Sequence, residues 1–394
     1  MSNETKLHIQ WILNALIVFV LNGTLLQTFL LENGLDEQTV TFSLSVLQIL
    51  QMLTIFLFSR AVDKMRRLKT LTAISFLICV PLNVYFIYLS FIPGANTPVP
   101  FLILGTAFNV FLGLYNVISY KFPYSVIEIE RYGIFTALSG LFCGVISFLA
   151  SLGIVALQSF LSYFEVMKIA YILSVVFTVL AVIVTFMMKE NDPPEVAKEE
   201  KRSGSILKYK HFTALMIPNV LRGFCFGIIG MASTIGYFTG DINSASASVL
   251  VTVTTISSIS GSLVYTLLNA KIREKNILIF SSVSVFLFLT LMVAFHNTTA
   301  FIIFYGLAYF FLHLINTAVP ITVVKLVDYD VIGQYSGGRM LLHTLGVSLS
   351  GFVCIPLIKL IGALPTMALS GLTQLISGII YFVYLTKHER EKKV

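Results

Sequence analysis

The chain has 394 residues, of which 57% are hydrophobic and only 11% charged, where a soluble domain carries about 25% charged residues. So apolar a chain cannot bury its side chains in a water-soluble core, and with a mean hydropathy of +0.89 it needs lipid over much of its surface. The net charge of +7 does not point to nucleic acid, because the basic residues gather in turns between apolar runs, where they meet anionic lipid.

A helix that crosses the hydrocarbon needs about 20 apolar residues. Twelve runs qualify, at roughly 8–31, 39–59, 68–92, 101–120, 132–157, 166–188, 211–239, 245–268, 276–296, 300–323, 340–361 and 364–386. The polar stub before the first run has no small-residue cleavage site, so a retained helix is expected there and not a signal peptide. Between the second and third runs stands Ser59-Arg60-Ala61-Val62-Asp63-Lys64-Met65-Arg66-Arg67. The same kind of turn returns 206 residues later as Tyr265-Thr266-Leu267-Leu268-Asn269-Ala270-Lys271-Ile272-Arg273, with Asn269 in the place of Asp63 and Arg273 in that of Arg67. Such a repeat says that the chain is built twice over. The polar stretch 189–210, with Pro193-Pro194 and Glu199-Glu200-Lys201-Arg202, reads as a solvated linker between the copies. The expected fold is an all-α integral membrane protein, with twelve transmembrane helices in two six-helix bundles. The bundles are 1–188 and 211–394, joined by a cytoplasmic linker at 189–210.

Basic residues set the orientation. With both termini inside, every Lys and Arg except Lys168, Arg222 and Lys359 falls in or beside an inside-facing segment, while outside turns carry Glu32, Asp36, Glu37, Glu165 and Asp241. A multi-pass plasma-membrane protein is expected, with both termini cytoplasmic. The sequence shows no extramembrane domain, which fits the bacterial inner membrane.

Polar side chains inside apolar runs mark packing contacts or a wet pathway. Asn14 and Asn22 share a face of the first run, with Gln27 one turn on. Asn109, Asn116 and Tyr120 do so in the fourth, and Tyr305, Tyr309, His313 and Asn316 in the tenth. In the seventh, Pro218, Asn219 and Arg222 precede Gly223, Gly227 and Gly230. The first, fourth, seventh and tenth runs are equivalent in a repeated bundle, which suggests a central polar pathway. Arg222 cannot shed its proton, so it requires an anionic partner, a substrate or water. His313 and His343 sit where a proton carrier or a structural histidine would serve equally. All 19 acidic residues fall in turns, linker, tails or run ends. Ion coupling would therefore use histidine, backbone carbonyls, or acids such as Glu128, Glu130 and Asp328.

Cys79, Cys143, Cys225 and Cys354 stand singly in apolar runs and read as small packing residues. There is no HExxH, GxSxG or phosphate-cradling P-loop. No metal, cofactor or enzyme chemistry is indicated.

The twelve runs, the six-plus-six repeat, the linker and the Asp63–Arg67 turn together resemble the major facilitator superfamily. Its Gly-x-Leu-Ala-Asp-Arg-x-Gly-Arg-Arg signature is matched in type by Asp63, Lys64 and Arg67, with Ser59 and Arg66 replacing the glycines. The resemblance implies state-dependent gating contacts at Asp63, Arg67, Asn269, Arg273, Asp328 and Arg339. Phe122-Pro123-Tyr124-Ser125-Val126-Ile127-Glu128 and Val327-Asp328-Tyr329-Asp330, followed by Gly333 and Arg339, further resemble segments of the glycoside–pentoside–hexuronide:cation symporters. Where that family keeps acids for sugar and cation, this chain has Ala15, Gln51, Ile55 and Lys121. The Lys121 ammonium is then either a tethered substitute for the bound cation or a snorkelling helix-end lysine.

The expected function is a secondary active transporter of a small solute, a sugar or glycoside by analogy, working by alternating access. The alternative is export of an amphipathic drug or lipid-like compound, with or without proton coupling. Candidate substrate-binding residues are Asn22, Gln27, Asn116, Tyr120, Lys121, Arg222, Tyr309, His313, Asn316 and His343. The expected partners are the small-molecule substrate, the lipid bilayer and a coupling proton or sodium ion, the last left open. The chain is expected to be a monomer.

Overall fold

The computed structural model describes residues 2–65, 67–94, 98–127, 129–190, 212–269, 271–326 and 332–391. The described residues are helical, with no strand among them. In chain order the helices are α1 (Asn3–Leu21), α2 (Gly23–Glu32), α3 (Glu37–Lys64), α4 (Lys69–Leu77), α5 (Val80–Phe91), α6 (Pro98–Lys121), α7 (Ile129–Leu157) and α8 (Tyr163–Met187), then α9 (Phe212–Gly230), α10 (Ala232–Thr239), α11 (Ser244–Asn269), α12 (Glu274–Ala294), α13 (Thr298–Leu326), α14 (Ile332–Ile361) and α15 (Ala363–Glu391). Among the described residues, eleven spans are long and apolar enough to cross a membrane, and a twelfth forms if Met216–Gly230 and Ala232–Thr239, bent by 54°, count as one.

Three expected continuous helices are broken, each for a local reason. Asn22 adopts an extended backbone between α1 and α2 and accepts the Gly23 N–H on its side chain at 2.8 Å, while Gly23 takes φ +66°. Asn22 therefore caps a break and does not share a helical face with Asn14. Between α4 and α5 the ladder tightens to i−3 bonds, Ile78 N–H to Ser75 and Cys79 N–H to Phe76, just before Pro81, which brings no N–H of its own. At Met231, after Gly230, the N–H turns to Ile228 and the chain bends into α10.

The chain divides into two compact units, Met1–Lys201 and Arg202–Val394. Of the expected linker, only Lys189 and Glu190 belong to the described residues. Each unit repeats one packing plan. In the first, α1 lies on α7 and α8, α3 on α6, and α4 with α5 on α6 and α8. In the second, α9 lies on α14 and α15, α11 on α13, and α12 on α13 and α15. The internal duplication therefore extends from the polar turn to the helix neighbours.

Aromatic rings knit the first unit: Phe29, Phe86 and Tyr171 meet edge-on or tilted with centroids 5.0–5.3 Å apart. Such a buried trio joins the halves of two broken spans to α8. Large apolar side chains such as Phe56, Phe91 and Phe280 stay more than 60% exposed, as lipid contact requires. After α6, Phe122–Ser125 forms a 3-10 turn with Phe122 and Pro123 buried, and the Pro123 carbonyl accepts from Val126 and Ile127 at 3.0 and 2.9 Å.

A buried guanidinium as the candidate functional site

Small residues bring α9 and α14 together. A Cβ on Gly223 would overlap the His343 carbonyl, one on Gly346 would overlap the Val220 carbonyl, and one on Gly227 would overlap the Ser350 hydroxyl. Gly223 faces His343 and Gly346, and Gly227, one turn on, faces Val347 and Ser350, so α9 and α14 run parallel with backbones in close approach. Hydroxyls of α15 bind α9 from another side: Ser377 donates to the Pro218 carbonyl at 3.0 Å and Thr373 to that of Leu221 at 3.2 Å. Pro218, within α9, contributes no N–H of its own to the helix ladder.

Into this junction α9 projects Arg222, only 3% exposed. One guanidinium nitrogen donates to Asn219 Oδ1 at 2.8 Å and the other terminal nitrogen to Asn316 Oδ1, on α13, at 2.7 Å. The Asn219 amide in turn donates to the Tyr381 hydroxyl of α15 at 3.2 Å. Arg222 Nε finds no partner and is buried. Among the described residues, no carboxylate forms an ion pair with Arg222, so neutral amide oxygens hold a full positive charge. His343, on α14, packs edge-on against Phe226 with centroids 5.4 Å apart, and its Nδ1 is buried without a partner. Arg339 stands one turn before His343 on α14 and acts electrostatically on Arg222, His343 and Tyr381. The sequence places Arg339 in an inside turn, but α14 begins at Ile332 and carries it half-buried within the helix.

The remaining candidates are dispersed. Tyr309 stacks obliquely on His313 at 4.9 Å and on Tyr305 at 5.7 Å, one aromatic ladder along α13. Gln27 is buried at 4% exposure in α2, and Asn116 is half-buried in α6. Asn109 turns its amide onto the Gly105 carbonyl of its own helix at 3.0 Å. Tyr120 and Lys121 close α6 as backbone, with side chains outside the described part, as are those of Asp63 in the last turn of α3 and Asn269 at the end of α11. Asp328 lies outside the described residues. Arg67 is exposed.

Arg273 caps the start of α12 and reaches Glu389 of α15 at 3.2 Å, a carboxylate it shares with Lys275 at 2.8 Å. The first unit has an analogous tie. Glu190, beyond α8, accepts the N–H groups of Leu68 and Lys69 at 2.6 and 3.0 Å, at the start of α4. Lys6 and Lys69 donate to the Met187 and Met188 carbonyls at 2.8 and 3.1 Å, which neutralises the end of α8. Sequence reasoning missed both acids and Tyr381. Thr373, Ser377 and Tyr381, spaced by four along α15, were the available signal for the latter.

A model of the Major Facilitator Superfamily matches residues 8–239, more than half of the chain. No curated protein matches by sequence. Among solved structures, a mutant of the nucleoside transporter NupG is similar at 15% identity and TM-score 0.73, covering 98% of this chain and 99% of that one. The unmutated NupG gives 0.70 at 15% identity, over 97% and 99%. A D-xylose-proton symporter gives 0.74 at 10% identity, over 96% of each chain. At these identities the structures speak for the fold, and the sequence match speaks for the family. The chain belongs to the Major Facilitator Superfamily, and is a multi-pass membrane transporter rather than an enzyme.

Proposed function

We propose that the chain is a secondary active carrier that moves a small hydrophilic solute by alternating access. The observation that supports it most is the polar cluster of Arg222, Asn219, Asn316, Tyr381 and His343 inside otherwise apolar helices. A buried charge held by neutral amides is costly in hydrocarbon and is kept where a solute or water meets it. On this reading the binding residues of the second unit are Arg222, Asn316, His343, Tyr309 and His313, and the candidates of the first are Asn22, Gln27, Asn116, Tyr120 and Lys121. Asp63, Arg67, Asn269, Arg273, Asp328 and Arg339 would bias the conformers. Arg273 supports this role through its exposed partnership with Glu389, a contact that exchanges readily with water.

A sugar or glycoside is the first solute class. The Phe122–Ile127 turn, like a segment of the glycoside–pentoside–hexuronide symporters, supports it, as do neighbours named for D-xylose and nucleosides. The carrier would work as a monomer in a bacterial inner membrane, with the two bundles 1–188 and 211–394 joined by a cytoplasmic linker and both termini cytoplasmic. Export of an amphipathic compound draws less support, since many of the phenylalanines that suggest it face outward, as Phe56 and Phe280 do at 62% and 64% exposure. The test is uptake into proteoliposomes over D-xylose, hexoses, glycosides, nucleosides and amphiphiles, with proton and sodium gradients imposed separately. Saturable uptake with counterflow of a polar solute is expected. Accumulation of amphiphiles alone would reject the sugar class, and chemical conversion or unsaturable flux would reject the carrier.

A further inference from the structure

We propose that the Arg222–Arg339 junction is an anion-binding site and that the transported solute carries a carboxylate. The inference deepens the carrier reading above and rests on it for the word transported, though not for the site itself. Arg222 is buried, has two of its nitrogens fixed by Asn219 and Asn316, and keeps Nε without a partner. The asparagines therefore aim the guanidinium and do not neutralise it. Arg339 adds a second guanidinium from the neighbouring helix. Gly223 meets His343 and Gly346 across the crossing, so Arg339, one turn before His343 on α14, stands level with the turns of α9 that precede Arg222. The Arg222 head reaches back along α9 towards those turns, where Asn219 accepts from it at 2.8 Å. Arg339 acts electrostatically on Arg222, so the crossing gathers two cations whose repulsion an entering anion would relieve.

The described acids of the second unit have their places elsewhere. Asp241 follows α10, where Thr239 holds it at 2.8 Å, Glu274 opens α12, Glu389 is taken by Arg273 and Lys275, and Glu391 ends α15. Asp328 and Asp330 lie outside the described residues and are the internal competitors that an experiment must eliminate. A planar guanidinium fork suits a planar carboxylate, and the rings of His343 and Phe226 meet at the same crossing.

The experiment follows the melting temperature of the purified full chain in detergent as D-glucuronate replaces chloride at constant ionic strength, with D-glucose and inorganic phosphate as controls. D-Glucuronate is expected to raise it saturably and D-glucose to leave it unchanged. Arg222→Gln and Arg339→Gln are each expected to weaken the apparent affinity at least tenfold. Asn316→Asp guards against simple misfolding: its carboxylate, placed where the Asn316 oxygen now meets Arg222, should keep or raise the basal melting temperature and abolish the glucuronate response. An unresponsive wild type overturns the proposal, as does a response that survives both arginine substitutions. Phosphate acting where glucuronate does not would overturn the carboxylate assignment. If the wild type ignores anions while Asp328→Asn or Asp330→Asn makes it responsive, an internal ion pair occupies the junction and the proposal falls. Uptake separates the two readings. Accumulated D-xylose with no anion response leaves the carrier and removes the anion site, whereas an Arg222-dependent response with no uptake of any solute leaves the site and removes the carrier.

Discussion

Asp36 shows how much one exposed side chain settles. It precedes α3 and accepts the Thr39 N–H at 2.9 Å and the Thr39 hydroxyl at 2.6 Å. The Thr39 hydroxyl is the main reason its carboxyl lies below the usual aspartate range. A depressed folded value contributes stability that is complete above the unfolded value, about pH 4, and is lost as pH falls through the folded one. Asp36→Ala should cost about 1 kcal/mol at pH 7, the usual worth of such a cap. In melting curves the gap between wild type and variant should hold from pH 7 to 5 and close below pH 4. A gap unchanged at pH 3 would mean that the cap is not the ionised carboxylate. Arg222 belongs to the same scale. Its identity announced an exceptional site, but its partners Asn219, Asn316 and Tyr381 come from three helices, two of them far along the chain.

Between elements, contact distance is the deciding quantity. Gly346 sits where a Cβ would meet the α9 backbone, which cannot yield as a flexible side chain can. Gly346→Ala should therefore lower stability by about 1–3 kcal/mol through overpacking. Gly153 of α7 has open space around it, so Gly153→Ala should be neutral or stabilise by up to about 1 kcal/mol from helix propensity. Thermal unfolding of the two variants side by side checks the contrast, and equal effects would remove the close crossing as the explanation. The helix-end ties make a second expectation. Glu190→Gln should speed amide exchange in the first turn of α4, because the orphan N–H groups of Leu68 and Lys69 lose a charged acceptor worth about 0.3–1 kcal/mol. Glu389→Gln should free Arg273 with little change in melting, as exposed pairs contribute little. Exchange measured by mass spectrometry distinguishes the two: a Glu190 variant with unchanged protection at 68–72 would refute the capping role.

At the scale of the whole molecule, the repeated packing plan of the two units leads to an expectation about topology. Single cysteines placed in the 191–211 stretch should resist a membrane-impermeant maleimide added to intact cells and react after permeabilisation. Trypsin added to inverted vesicles should cut there first and leave two fragments corresponding to the units. Labelling from outside would invert the proposed orientation. The spans were legible in the sequence because hydrocarbon forces each helix to satisfy its backbone internally and to show apolar side chains over a fixed length. The internal repeat was legible because its charged turn lies in water, where few substitutions are silent in hydropathy.

The breaks at Asn22, Cys79 and Met231 were less so, since hydropathy averages across an asparagine or a proline that changes only the local ladder. By itself the sequence determined the class, the number of crossings to within one bent pair, and the rarity of Arg222. Only the tertiary structure decided that Arg222 meets two asparagines, that Arg339 belongs to its helix neighbourhood and not to a turn, and that Glu190 and Glu389 fasten the sixth span of each unit to its third. Helix formation in lipid is a local matter of length and composition. Which polar groups meet depends on crossing registers between helices distant in the chain, and those are fixed by where glycine lets two backbones touch.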